Sequence, residues 1–154
     1  MLKKRILGVD FGDARTGVAI SDLSGILASG VGTIKSSGFL KTAEEVAKIA
    51  KEKDVSLIVL GHPINMNGTY GPRSEKCRMF ADMLQNFLEI PVVMWDERST
   101  TVTAHNMMND VNKRGKERKK VIDAVAAAVI LQNYLEYKAN MRAREKAKAE
   151  ENNE

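Results

Sequence analysis

The stretch Arg5-Ile-Leu-Gly-Val-Asp10-Phe-Gly-Asp-Ala-Arg15-Thr-Gly-Val-Ala-Ile-Ser21 decides the fold. Arg5 to Asp10 reads as one strand and Gly17 to Ser21 as a second, joined by a tight, Gly-containing turn. The first strand closes on a carboxylate, a group that is costly to desolvate unless something positive meets it. What else the chain delivers to that strand end then decides the chemistry.

Turn residues Asp22, Ser24 and Gly25 lead to a third candidate strand, Leu27 to Ile34, so the opening is an antiparallel meander. The period then changes. Ala43, Val46, Ala47 and Ala50 follow the i, i+3, i+4, i+7 rule of an amphipathic helix of about three turns. Val55 to Leu60 is a strand running into Gly61-His62-Pro63, and Asn67-Gly68 marks a turn in the following loop. Cys77, Phe80, Ala81, Leu84, Phe87 and Leu88 share one helical face, and Pro91 precedes a strand from Val92 to Trp95. A helix is expected from near Ser99, a good N-cap, with Val102, Met107, Met108 and Val111 as its apolar positions. A last helix is expected from about Val121 to Tyr137.

The order β-β-β-α-β-α-β-α-α predicts an α/β protein, a mixed five-stranded sheet with helices on both faces. Helix crossovers set the strands beginning at Arg5, Val55 and Val92 parallel, with their C-terminal ends along the edge where open sheets bind ligands. One domain is expected over residues 1–138. Residues 139–154 form a charged tail with almost no apolar face, expected to extend the last helix into solvent or fray, with disorder at its very end.

Three acidic positions belong at the ligand edge. Asp10 closes one strand, Glu97 closes the run Pro91-Val-Val-Met-Trp-Asp-Glu, and Asp123 lies one turn into an Ala-rich helix. Asp123 shares a face with Ala127, Ile130 and Tyr134, and its small neighbours let the helix approach the sheet closely. Asp96 and Glu97 cannot both face one site, since adjacent strand residues point oppositely, and spacing alone does not choose between them. Carboxylates without clustered cysteine or histidine are hard ligands, favouring Mg²⁺ or Mn²⁺ over zinc. His62 and His105 lack any zinc-like spacing and read as structural.

The 154 residues are 44% apolar and 29% charged, the balance of a soluble globular protein. The longest apolar run, Val121 to Leu131, is broken by Asp123 and is shorter than the roughly 18 residues a membrane span needs. Cys77 stands alone, which excludes a disulfide framework, and the N-terminus lacks signal-peptide features. A cytoplasmic location with no membrane partner is expected.

Net charge is +4, and its distribution says more than its size. Lys113, Arg114, Lys116, Arg118, Lys119 and Lys120 crowd just before Asp123 against a single acid, Glu117. Such a block suits a nucleic-acid backbone. Arg15, beside Asp10, and Arg98 are candidates for phosphate contacts. Asn65, Asn67 and Thr69 form a polar loop suited to sugar or phosphate. Arg73 and Arg78 read as a solvated helix face. The few aromatic residues favour recognition of backbone or shape over base stacking.

The motifs Asp10-Phe-Gly12-Asp-Ala-Arg15-Thr-Gly17-Val-Ala19-Ile-Ser-Asp22, Gly61-His-Pro63-Ile-Asn65-Met-Asn67-Gly68-Thr69, Asp96-Glu97-Arg98-Ser-Thr100 and Lys120-Val-Ile-Asp123 resemble those of the YqgF-like family, within the RNase H-like superfamily. The resemblance runs from about Lys4 to Glu136. It departs at His62, where relatives often carry Leu, and at Asn67, where they often carry Asp.

The resemblance implies an RNase H-like fold, with Asp10, Glu97 and Asp123 as catalytic metal ligands. It favours Glu97 over Asp96. It implies a metal-dependent nuclease that matures the 5′ end of precursor 16S rRNA, in association with the ribosome, or one that resolves four-way DNA junctions. Paired cuts require a dimer, whereas RNA trimming is open to a monomer; no dimer seam is legible. A non-catalytic nucleic-acid or ribosome-associated factor is a further alternative, against which the presence of all three acids counts. The Asp10-Phe-Gly12 opening with Gly17 also resembles the phosphate loop of the actin and sugar-kinase superfamily, but those ATPases need two lobes.

Overall fold

The computed structural model describes residues 4–65, 67–96 and 119–152, with the side chains of the last segment from residue 123 onward. Among these residues five strands are present: β1 (Ile6–Asp10), β2 (Arg15–Ser21), β3 (Ala28–Lys35), β4 (Leu57–His62) and β5 (Val92–Asp96). Among the described residues three helices accompany them: α1 (Phe39–Glu52), α2 (Pro72–Asn86) and α3 (Lys119–Asn152). The helix expected near Ser99 lies outside the described residues.

The strands lie in the order β3-β2-β1-β4-β5. β1, β2 and β3 pair antiparallel, whereas β1 pairs with β4 and β4 with β5 in parallel. The chain therefore leaves β1 toward one side of the sheet and returns to build the other side from β4. In open sheets, ligands bind outside the C-terminal ends of the parallel strands, in the crevice at such a reversal of strand order. Asp10 ends the central strand at that crevice.

Strand alternation sorts the side chains into two cores. Leu7 and Val9 of β1, with Ile58 and Leu60 of β4, pack with Val46 and Ala50 of α1 and Phe80 and Leu84 of α2. Ala19 and Val59 point to the other face and pack with Ala127, Leu131 and Leu135 of α3. Helices thus cover both faces of a mixed sheet, as the chain pattern predicts. Phe11, just past Asp10, is buried with its ring stacked 4.3 Å from Phe80 and 5.4 Å from Phe39. That anchor fixes the end of β1 to the helical layer beneath it.

Several element ends differ from those that periodicity predicts: β2 starts at Arg15 instead of Gly17, β4 spans Leu57–His62 instead of Val55 to Leu60, and β5 ends at Asp96 instead of Trp95. β4 continues past Leu60 through Gly61 and His62, because β5 pairs with both, at Trp95 and Asp96. α3 continues past Tyr137 to Asn152, where every residue except half-buried Met141 is exposed. Strong helix formers sustain it there. Among the described residues, no helix is long and apolar enough to cross a membrane.

Candidate nuclease centre

Position 10 has the same parity in β1 as Gly8, on the face that α3 covers. Its cross-strand partner is Gly17 of β2. A methyl group at Gly17 would lie 1.9 Å from the carbonyl oxygen of Asp123, and one at Gly8 would lie 2.7 Å from Cβ of Leu131. The absent side chains let α3 lie directly on the sheet. Asp123, in the first turns of α3, is thereby brought beside the end of β1.

Two carboxylates so placed repel one another, and the structure meets each with an arginine. Arg15, at the start of β2, donates from Nε to Oδ2 of Asp123 at 2.7 Å. Arg73, in the first turn of α2, brings Nη2 to 3.9 Å from Oδ1 of Asp10. Asp10 still has its carboxyl raised above the usual 3.8, chiefly by burial. Arg73 opposes that rise and the charge of Asp123 adds to it. The arginines are well exposed, so they neutralise the pair incompletely through solvent.

The hairpin between these groups is fixed by hydrogen bonds. Ser36 donates from Oγ to the Gly12 carbonyl at 2.7 Å and from its backbone N–H to the Ala14 carbonyl at 2.9 Å. Thr16 and Ser36 hydroxyls share a further bond of 2.8 Å. Lys76 of α2 reaches Asp13 at 3.0 Å, so the turn is tied to the start of the second helix as well.

Asp96 is directed elsewhere. It is in register with His62, and its charge acts on that imidazole. His62 is buried, hydrogen-bonds to the Ser74 hydroxyl of α2 and stacks 5.5 Å from Tyr70. Burial and Arg78 lower its pKa below 6.5, and Asp96 opposes them. His62 therefore has the structural role expected of it. Arg78 covers the Tyr70 ring at 4.5 Å.

The polar loop builds its own turn. Asn65 Nδ2 donates to Thr69 Oγ1 at 3.0 Å, Thr69 donates to Asn67 Oδ1 at 2.6 Å, and Gly68 adopts φ 83°. Much of the hydrogen-bonding capacity of Asn65, Asn67 and Thr69 is spent inside the loop. Glu97, Arg98, Lys113, Arg114 and Lys116 lie outside the described residues, as do the side chains of Lys119 and Lys120. Sequence reasoning missed Arg73, assigned above to a solvated face. Its nearness to Asp10 depends on where α2 starts relative to β1, and Pro72 at the helix start was the local signal available.

Asp10 and Asp123 offer hard oxygen donors, and their mutual repulsion is what a divalent cation would relieve. On that chemistry the pair fits Mg²⁺ or Mn²⁺. Among the described residues no group of three His, Cys, Asp or Glu is placed to hold a metal.

A mixed sheet of this order, flanked by helices, is an RNase H-like fold, and solved structures share it. The chain superposes on Thermus thermophilus RuvC in complex with a Holliday junction substrate with a TM-score of 0.58, at 10% identity, covering 88% of this chain and 96% of that one. It matches the yeast mitochondrial Holliday junction resolvase with a TM-score of 0.58, at 11% identity, covering 92% and 81%. A sequence profile of the RuvX family, described as Holliday junction resolvase, matches residues 4–137. A Clostridioides difficile (strain 630) protein named "Putative pre-16S rRNA nuclease" is 49% identical over 140 residues, covering 91% of this chain and 99% of that one. A Heliobacterium modesticaldum protein of the same name is 46% identical over 144 residues, covering 94% and 97%. The chain belongs to the RuvX family.

Proposed function

We propose that the chain is a metal-dependent endonuclease that hydrolyses nucleic-acid phosphodiesters in the cytoplasm and matures the 5′ end of precursor 16S rRNA. One observation carries this reading: two carboxylates from distant parts of the chain meet at the end of the central strand, each faced by an arginine. The names of the two relatives supply the substrate.

Asp10 and Asp123 would hold Mg²⁺ or Mn²⁺, with Glu97 as the third ligand. The family resemblance favours Glu97, and the neighbouring Asp96 lines up with His62 toward α2 instead. When bound, the metal supplies an activated water and neutralises charge at the phosphorus. Arg15 orients Asp123 through Nε and leaves its terminal guanidinium nitrogens for a phosphate oxygen. Arg73 adds positive charge at the same strand end. Asn65, Asn67, Thr69, Arg98, Lys113, Arg114, Lys116, Lys119 and Lys120 would carry the flanking strand through backbone contacts.

The family description favours a second reading, cleavage of four-way DNA junctions. Incubating the purified protein and Mg²⁺ with a 5′-extended 16S precursor and with a junction separates the two. Cleavage of the RNA extension is expected. Cleavage of the junction alone would reverse the substrate assignment, and cleavage of neither would overturn the nuclease reading.

A further inference from the structure

The last part of α3 is a second feature that the carboxylate centre does not use. The family match ends at residue 137, and 140 aligned residues already span 99% of the C. difficile relative. The helix runs on to Asn152 with its side chains exposed apart from half-buried Met141.

Its charge is ordered. Lys138, Arg142 and Lys146 form one i, i+4 row and Arg144 and Lys148 another, against Glu145 alone up to residue 148; Glu150 and Glu151 then end the basic stretch. Like charges so stacked disfavour an isolated helix. At the root, Lys138 lies 5.7 Å from the Tyr134 ring and Arg142 acts on its phenol. Farther out, Arg144, Lys146 and Lys148 make no ion pair among the described residues. At 100° per residue, the two rows flank a narrow face of Ala139, Ala143 and Ala147. A small-residue face with cations on either side fits a groove walled by two phosphate strands, whose negative charge offsets the repulsion along each row.

We propose that residues 138–148 form a basic helical arm that binds the paired phosphate backbones of a nucleic-acid duplex, away from the carboxylate centre. At 1.5 Å per residue, Arg144 and Lys148 lie roughly 30–40 Å along α3 from Asp123. The arm therefore holds a part of the substrate remote from the bond to be cut. This rests on the nucleic-acid reading above but not on cleavage. The chemistry is shared by B-form DNA and A-form RNA, which differ in the groove they offer a helix.

The test is fluorescence anisotropy of the full chain with a labelled DNA duplex, a labelled RNA duplex and a single strand, across a salt series. The triple variant Arg144→Gln, Lys146→Gln, Lys148→Gln preserves helix-forming residues, and circular dichroism checks that the helix remains. The expected result is a loss of duplex affinity, with the slope of log K against log salt shallower by about 2–3 for DNA. The double variant Arg144→Lys, Lys148→Arg keeps the charge and should bind as wild type does. Loss on either duplex supports the arm and identifies the preferred form. Unchanged duplex binding, or a loss confined to single strands, overturns it. If the triple variant binds duplex unchanged while the wild type cleaves, the arm falls and the nuclease reading stands. If the wild type binds no nucleic acid, both fall.

Discussion

Asp10 is held in a place that disfavours its charge. Burial raises its carboxyl, Asp123 adds to the rise, and Arg73 offsets part of it. An acid whose folded value exceeds its unfolded one binds its proton more tightly when native. Stability therefore falls as pH rises from 3.8 through the raised folded value, and stays lower at neutral pH. Asp10→Asn should accordingly be more stable than wild type at neutral pH, with the gap closing on acidification. Tm measured against pH checks this, and parallel profiles would refute it. Arg15→Gln tests the other half of the pair. Its bond to Asp123 is short but well exposed, so stability should change by no more than about 1 kcal/mol. Loss of an orienting partner should lower activity on the order of 10–100-fold, read from kcat on a nucleic-acid substrate. Both acids were legible from sequence, one by its strand end and the other by its place on an apolar helix face. Arg73 was not, because helix periodicity says nothing about the strand end it reaches.

The contact that brings the acids together belongs to whole elements. α3 can lie on the sheet because β1 and β2 present glycines beneath it. A methyl group at Gly17 would overlap the Asp123 carbonyl, a backbone atom that cannot swing aside. Gly17→Ala should destabilise the fold by about 1–3 kcal/mol or more and displace Asp123. At Gly32 an added methyl meets nothing within 4 Å, so Gly32→Ala should stay within about 1 kcal/mol. Urea unfolding of the two variants checks the contrast, and equal losses would contradict it. Hydrophobic period identified the strands and the helices α1, α2 and α3, since each buries a regular face. Their ends were less legible: the extension of β4 comes from pairing with β5, a partner more than thirty residues away in sequence.

At the scale of the molecule, the sheet order sets which strand ends share an edge. β1, β4 and β5 run parallel, so residues ending them share an edge, and alternation along β5 sends Asp96 to α2. That choice was not available from spacing, which treats neighbours equally until the faces are assigned. Glu97→Gln should therefore lower cleavage on the order of a thousandfold, and Asp96→Asn by less than about tenfold. Comparable losses in both would remove the assignment of Glu97. The most direct test of the whole account is cleavage of a 5′-extended 16S precursor by wild type and Asp10→Asn, with Mg²⁺ and with a chelator. The account predicts Mg²⁺-dependent cleavage by wild type and a loss on the order of a thousandfold in the folded variant. Wild-type rates from Asp10→Asn, or undiminished cleavage in the chelator, would contradict it.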